Sequence, residues 1–145
     1  MTAVNIYLNF DGTCEEAFTF YKSVFGGEFP YVGRFKDMPP QEGMPPLPEG
    51  AADKIMHISL PISKETMLMG SDTVSGFGPE LKTGNNFAIT ASTDSREEAD
   101  RIFNALSEGG QVTMAMNQTF WGDYFGMLTD KFGINWMISF AQEQQ

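Results

Sequence analysis

The stretch EEAFTFYKSVFGGEF, residues 15–29, returns in altered form as EEADRIFNALSEGGQV, residues 97–112. In both stretches, apolar residues recur at i, i+3, i+4 and i+7, which is the spacing of one face of an amphipathic helix. These positions are Ala17, Phe20, Tyr21 and Val24 in the first stretch, and Ala99, Ile102, Phe103 and Leu106 in the second. A glycine pair follows each one, and glycine readily takes the left-handed conformation that ends a helix. The sequence therefore predicts the same helix twice.

The residues around each helix repeat as well. The candidate N-caps are Asp11 or Thr13 for the first helix and Thr93 or Ser95 for the second. A candidate strand precedes each helix, NIYLNF (5–10) and NFAITA (86–91). Three candidate strands follow each helix: EFPYVGRF, KIMHISLP and ETMLMGS in the first half, and QVTMAMNQ, YFGMLTD and INWMISF in the second. Each half therefore reads β-α-β-β-β, and the length suits one compact domain or two small modules that share a core.

Two segments interrupt the repeat. Residues 75–86, SGFGPELKTGNN, are rich in glycine and polar residues and mark the joint between a first module at 1–74 and a second at 84–145. Residues 36–53, KDMPPQEGMPPLPEGAAD, are an insertion in the first module, and their prolines predict a surface loop. We interpret this loop as a pocket lid, a subunit contact or a passive connection.

The composition argues against several classes of partner. The formal net charge is −10, and such a surface repels nucleic-acid phosphates and anionic lipids. No apolar run approaches the ~18 residues of a membrane-spanning helix, and the N-terminal MTAVNIYLNFDG lacks the features of a signal peptide. The single cysteine, Cys14, cannot form an internal disulfide and is expected to be structural. We therefore expect a cytoplasmic protein with no nucleic-acid and no membrane partner.

Alternation along the candidate strands separates an apolar face from a mixed face. The apolar face carries Ile6, Leu8, Phe10, Met56, Ile58, Leu60, Phe87, Ile89, Ala91, Ile134, Trp136, Ile138 and Phe140. The mixed face carries Asn5, Tyr7, Asn9, Ile55, His57, Ser59, Met67, Met69, Asn86, Asn135, Met137 and Ser139. Side chains as bulky as Tyr7 and Met137 are unusual in full contact with water. We therefore interpret the mixed face as the lining of a ligand cleft, with a plain solvated sheet as the alternative.

Two longer stretches resemble a known family. NIYLNFDGTCEEAFTFYKSVFGGEF (5–29) is similar to the N-terminal signature of PhnB-like proteins, and TFWGDYFGMLTDKFGINWMISF (119–140) to their C-terminal signature, with FW followed by GxxTDxFGxxW. The resemblance covers essentially the whole chain, and PhnB-like proteins belong to the vicinal oxygen chelate superfamily of glyoxalases, bleomycin-resistance proteins and dioxygenases. It implies an α+β fold, a single domain over 1–145 whose two βαβββ modules form a curved, incomplete eight-stranded barrel. It also implies a homodimer.

The resemblance further implies where a catalytic metal would lie. Metal-dependent members of the superfamily carry one ligand on the first strand and one on the last strand of each module. Those positions carry over to Asn5, Met69, Asn86 and Met137, which are two amides and two thioethers. Neutral amides are weak ligands, and thioethers do not suit Zn, Mn, Ni or Fe(II). With one cysteine and one histidine, the chain also cannot build a thiolate or multi-histidine site by itself. We therefore predict no metal and no cofactor.

The candidate ligand-binding residues are Asn5, Tyr7, His57, Met69, Asn86, Trp121, Asn135 and Met137, and the candidate catalytic residue is His57. Trp121 is expected at the dimer seam or at the mouth of the cleft, while Asp123 and Asp130 are expected to serve turns. No candidate cleft residue is basic, which argues against a bare phosphonate ligand. Some members of the family are described as methyltransferase-like, but no glycine-rich loop opens a nucleotide-binding βαβ unit.

Three hypotheses for the function follow. The first is a metal-free homodimer that binds a small, partly apolar molecule. The second is a glyoxalase- or dioxygenase-type enzyme, a lyase, isomerase or oxidoreductase, with an atypical metal site or with His57 as general base. The third is a structural or regulatory interaction protein that acts through residues 36–53.

Overall fold

The computed structural model describes residues 2–39 and 42–141. The chain divides between Lys82 and Thr83 into two compact units. In the first unit the chain runs through β1 (Ile6–Phe10), α1 (Cys14–Phe25), β2 (Tyr31–Arg34), a short 3-10 helix (Phe35–Asp37), β3 (Ile55–Pro61) and β4 (Met67–Asp72). The strands lie in the order β1-β4-β3-β2. β1 is parallel to β4, and the other neighbours are antiparallel.

The second unit repeats this arrangement. It contains β5 (Ile89–Ser92), α2 (Arg96–Ser107), β6 (Gln111–Gln118), β7 (Asp123–Thr129) and β8 (Asn135–Ala141). The strand order is β5-β8-β7-β6, and again the first strand of the unit is parallel to the last. The predicted α+β fold of two βαβββ modules is therefore confirmed, and each sheet is open.

Each helix packs an apolar stripe on its own sheet. On α2 the buried residues are those predicted, Ala99, Ile102, Phe103 and Leu106. On α1 they are Cys14, Ala17, Phe18, Tyr21 and Val24. Phe18 therefore takes the place predicted for Phe20, which is half-buried, because the stripe begins at Cys14 and runs through the following turns on that side. Burying a side chain of this size contributes about 2 kcal/mol.

Neither helix has the dimensions of a membrane span. Both are twelve residues long, whereas a bilayer core needs about 20 helical residues. Within residues 2–39 and 42–141, no helix combines the length and the apolar character that crossing a membrane requires.

The two helices begin with different caps. Ser95 Oγ accepts a hydrogen bond at 3.1 Å from the backbone N–H three residues further on, so one of the two predicted caps of α2 is confirmed. Thr13 provides no side-chain cap for α1. Instead, the buried carboxylate of Asp72 accepts hydrogen bonds from the N–H groups of Cys14 and Ile55, each at 2.9 Å. This cap comes from the end of β4, 58 residues away along the chain, and it joins the helix to two strands.

Cys14 is fully buried at the start of α1. Burial raises the pKa of its thiol well above its usual range, and the carboxylates of Asp72 and Glu15 act in the same direction. Since the thiolate is the reactive form of cysteine, this thiol is chemically inert in the folded protein.

A β-bulge between β2 and β3 changes which side chains reach the core. Gly33 pairs with His57, but Arg34 pairs with Ile55, so β3 accommodates one extra residue. Strict alternation predicts Ile55 on the mixed face together with His57, whereas the structure buries Ile55 completely. That prediction is wrong because an inserted residue reverses the alternation beyond it.

β5 is shorter than the sequence predicts. The candidate strand 86–91 begins in the structure only at Ile89. Phe87, expected on the apolar face, is 63% exposed. Asn86 and Phe87 therefore belong to the segment that leads into β5, and strand alternation does not decide where their side chains lie.

The insertion at residues 36–53 is fixed to the first unit at both ends. Phe35, Ala51 and Val74 form a small buried cluster, against which Met38, Leu47, Met56 and Phe77 pack. In addition, Lys36 Nζ lies 2.9 Å from a carboxylate oxygen of Asp53. Its two ends are thus joined to each other as well as to the body of the unit.

Asp130 organises the turn between β7 and β8. Its Oδ1 accepts hydrogen bonds from the N–H groups of Phe132 at 2.8 Å and Ile134 at 3.1 Å, and its Oδ2 accepts one from Trp136 Nε1 at 2.9 Å. The side chain is buried, as is the indole of Trp136. The turn role predicted for Asp130 is confirmed, and it extends to holding the largest buried side chain of the second unit.

Candidate functional site

In each unit the helix covers one face of the sheet, and the opposite face is its helix-free face. The helix-free face carries Tyr7, His57, Ser59 and Met69 in the first unit, and Met127, Thr129, Asn135 and Met137 in the second. The strand residues between them, such as Leu8, Ile58, Leu128 and Trp136, are buried. All eight predicted binding residues except Asn5, Asn86 and Trp121 lie on strands of these two faces.

Four side chains stand in register across the helix-free face of the first unit. Strand pairing places Tyr7 opposite Met69, Met69 opposite Ser59, and Ser59 opposite Tyr31. His57 lies two residues from Ser59 on β3, and its ring centroid is 5.7 Å from that of Tyr7 and 5.7 Å from that of Tyr31. Its Nδ1 is 3.4 Å from the Tyr7 hydroxyl. The structure thus brings the predicted residues Tyr7, His57 and Met69 together and adds Tyr31.

Asn5 lies just before β1 and already has a structural partner. Its Oδ1 accepts a hydrogen bond from the N–H of Met67 at 2.9 Å, which ties the start of β4 to β1. The side chain is exposed. Any contact of Asn5 with a ligand would have to use the remaining hydrogen-bonding capacity of the carboxamide.

The helix-free face of the second unit contains a cavity of about 460 Å³. Its polar lining residues are Asn85, Asn86, Thr113, Thr129 and Asn135, and its apolar ones are Phe87, Ala88, Met127, Leu128, Trp136 and Met137. None of these side chains carries a charge at neutral pH. Three of the predicted binding residues, Asn86, Asn135 and Met137, therefore line one cavity.

Asn135 holds the wall of this cavity in place. Its Oδ1 accepts a hydrogen bond from Thr129 Oγ1 at 2.8 Å, and its Nδ2 donates one to the carbonyl oxygen of Gly84 at 3.2 Å. The first bond joins β8 to β7. The second fixes the segment that carries Asn85 and Asn86, so a residue predicted to contact a ligand also positions the loop beside it.

Methionine side chains provide an adaptable surface in the cavity. Met137 pairs with Met127 on the neighbouring strand, and Met127 pairs in turn with Met114. Met127 and Met137 are half-buried, while Met114 is 41% exposed. Thioether side chains are flexible and polarisable, and they can fit ligands of more than one shape.

Trp121 lies in the turn between β6 and β7 and is 52% exposed. Its Nε1 donates a hydrogen bond to Asp123 Oδ2 at 3.0 Å, and its ring meets that of Phe125 edge-on, with centroids 6.2 Å apart. Phe125 precedes Met127 by two residues on β7 and so lies on the helix-free face. Trp121 is therefore outside the lining of the cavity, at the other end of the strand that carries Met127.

Sequence reasoning missed several residues of both faces. These are Tyr31 in the first unit, and Thr113, Met114, Met127 and Thr129 in the second. Alternation along β2 and β6 is the signal that could have found the first three. The pairing of each of those strands contains a register shift, which weakens that signal.

Comparison with known proteins identifies the family. Residues 2–139 match the protein family described as 3-demethylubiquinone-9 3-methyltransferase. Protein YjdN from Escherichia coli K12 is 32% identical over 143 residues, which is 95% of each chain. The crystal structure of protein PA1353 from Pseudomonas aeruginosa is 37% identical and has a TM-score of 0.84, over 99% of this chain and 100% of its own.

Two more distant structures share the fold. The PhnB protein from Bacillus cereus, a putative 3-demethylubiquinone-9 3-methyltransferase, is 23% identical with a TM-score of 0.75, over 97% of this chain and 100% of its own. A glyoxalase-related enzyme from Fulvimarina pelagi is 16% identical with a TM-score of 0.62, over 97% of this chain and 88% of its own. These two likenesses show the fold alone. From the family match and the shared fold together, the chain belongs to the 3-demethylubiquinone-9 3-methyltransferase family, as a PhnB-like member of the vicinal oxygen chelate superfamily.

Proposed function

We propose that this protein is a metal-free homodimer that binds a small, neutral and partly apolar molecule. The observation that carries the proposal is the uncharged lining of the cavity in the second unit. A cavity of about 460 Å³ lies within the usual range for small-molecule sites, roughly 300–1,000 Å³. Its amide and hydroxyl groups can orient a ligand by hydrogen bonds, while Met127, Met137 and Trp136 contact its apolar part.

The same lining argues against an anionic ligand. A phosphonate or carboxylate would need arginine, lysine or a helix N-terminus to replace the water that it loses on binding. None of the residues around the cavity is basic, and the chain carries a net charge of −10. A neutral ligand loses far less hydration on entering such a site.

The residues at the superfamily's metal positions do not fit a catalytic divalent ion. Met69 pairs with Tyr7, and Met137 pairs with Thr90, so the two methionines could be exchanged for their neighbours on the same face without bringing in a charged ligand. Asn5 Oδ1 is already bonded to a backbone N–H. No group of three acidic, histidine or cysteine side chains converges anywhere in residues 2–39 and 42–141. We therefore derive no chemical step through a metal.

The architecture also offers no support for methyl transfer to a nucleotide-bound substrate. In a nucleotide-binding βαβ unit, a strand, a glycine-rich loop and a helix lead into a parallel neighbouring strand. Here α1 leads into β2, and β2 pairs antiparallel with β3; α2 leads into β6, and β6 pairs antiparallel with β7. Ligand binding is thus better supported than the activity in the family's description.

A thermal-shift screen with neutral, partly apolar compounds tests the binding site. A ligand at 100 times its Kd stabilises the folded protein by about 2.7 kcal/mol. We expect Asn86→Leu to weaken such a ligand about fivefold, because one hydrogen bond contributes about 1 kcal/mol. Asn104→Leu is the matched control, since Asn104 is an exposed residue on α2. A ligand that shifts both variants and the wild type equally would contradict the assignment of this cavity.

Native mass spectrometry tests the metal and the oligomer. After incubation with excess Zn, Ni or Mn and removal of the free ion, we expect a dimer of unmodified mass, because amide and thioether groups bind these ions weakly. A sample treated with a chelator provides the reference mass. One ion retained per chain would contradict the metal-free proposal, and a monomer at micromolar concentration would contradict the homodimer.

A further inference from the structure

Three aromatic rings are exposed together on the helix-free face of the first unit. Tyr7 is 45% exposed and Tyr31 is 49% exposed, although both belong to strands of a packed sheet. The His57 ring lies between them on β3, with both tyrosine ring centroids 5.7 Å away and tilted by 34° and 48°. The two tyrosines therefore flank the imidazole on either side.

Gly33 makes room for one of these rings. A Cβ atom at this position would lie 2.7 Å from the Tyr31 hydroxyl oxygen and 2.9 Å from its Cε1. The Tyr31 ring thus lies over Gly33, whose partner on the neighbouring strand is His57. Any side chain at position 33 would push the ring away from His57, so this glycine is needed for space.

The surroundings of the three rings suit a positive charge. Aromatic faces carry a negative potential that attracts ammonium and guanidinium groups within about 6 Å of the ring centroid. The nearest side chains in register on this face, Ser59 and Met69, are uncharged, so no fixed cation on those positions competes for the rings. The net charge of −10 also raises the local concentration of small cations.

We propose that Tyr7, His57 and Tyr31 form a binding site for a small organic cation of the quaternary ammonium class. The ligand rests against the exposed tyrosine rings, with the imidazole and the Met69 thioether beneath it. This site lies on a different sheet from the cavity of the second unit, and it does not depend on what that cavity binds.

The test compares choline with 3,3-dimethylbutan-1-ol, which has the same shape without the charge. Both are titrated into the full-length protein and followed by ¹H–¹⁵N NMR. Cation–π attraction of about 0.5–2 kcal/mol predicts that choline binds roughly 2- to 30-fold more tightly, with shifts centred on Tyr7, Tyr31 and His57. Equal binding of the two compounds, or shifts centred elsewhere, would overturn the proposal.

Variants separate the aromatic faces from mere bulk. Tyr31→Phe keeps the ring and should bind choline within about twofold of wild type, whereas Tyr31→Leu and Gly33→Ala should each lose about fivefold or more. Phe120→Leu is the matched control, because Phe120 is an aromatic residue of the second unit that is 98% exposed. Unchanged choline affinity in Tyr31→Leu, with a native NMR spectrum, would refute the site.

The two proposals fail in different experiments. Asn86→Leu, which should weaken a neutral ligand of the second unit, should leave choline binding unchanged. Loss of choline affinity in Asn86→Leu would show that the cation binds at the cavity and would overturn the assignment to Tyr7, His57 and Tyr31.

Discussion

Replacing Asp130 with alanine should lower the free energy of unfolding by about 3 kcal/mol. The carboxylate accepts three hydrogen bonds, from two backbone N–H groups of the β7–β8 turn and from the buried indole of Trp136. Hydrogen bonds to a charged group contribute about 1.5–3 kcal/mol each, and a donor left unsatisfied in the core adds a desolvation cost. Urea denaturation at one fixed protein concentration measures the change.

Two further variants sharpen this prediction. Asp130→Asn keeps one acceptor for the turn but turns a donor toward the Trp136 N–H, and we expect it to fall between wild type and Asp130→Ala. Glu65→Ala removes an exposed carboxylate near the β3–β4 turn and should change stability by less than about 0.5 kcal/mol. A loss below about 1 kcal/mol in Asp130→Ala would show that water replaces the carboxylate in the turn.

Gly70→Ala is the second substitution with a large expected effect, about 2–3 kcal/mol of destabilisation. Gly70 lies in β4 and pairs with Leu8 on one side and Ile58 on the other. A Cβ atom there would lie 2.7 Å from Cε1 of Phe18 and 3.0 Å from the backbone oxygen of Leu8. Phe18 is completely buried, so its ring has no free space, and overpacking of this kind costs about 1–3 kcal/mol.

Two controls distinguish overpacking from the general effect of replacing glycine. Gly84→Ala places its Cβ in ordinary contact, with the nearest atom, Asn86 Oδ1, 3.9 Å away, so its stability should stay within about 0.5 kcal/mol of wild type. The double variant Gly70→Ala with Phe18→Leu should be less destabilised than the sum of its two single changes. Strict additivity of the two changes would rule out the contact with Phe18 as the cause.

The helices and the order of the strands are readable from the sequence because both follow from local periodicity. The apolar stripe of α2 and the duplicated order of elements need no information from outside each segment. Features that depend on partners far along the chain escape this reasoning. The Asp72 carboxylate caps a helix 58 residues away, and the bulge opposite Arg34 reverses the direction in which Ile55 points.

The candidate residues divide in the same way. Alternation on β8 correctly predicts that Asn135 and Met137 share a face, and both line the cavity. Nothing local announces that Asn135 is bonded to Thr129 and to Gly84, because Gly84 approaches it only through the fold. Tyr31 escapes for a similar reason, since its position over Gly33 depends on the pairing of β2 with β3.

The sealed thiol of Cys14 has a practical consequence for spectroscopy. Because this is the only cysteine of the chain and it is fully buried, a cysteine introduced at an exposed position would be the one that a nitroxide or a fluorophore labels. Positions 31 and 114 lie on the two separate sheets and are both exposed. The wild-type protein thus supplies an unlabelled background against which distances between sheets, and between subunits, can be measured directly.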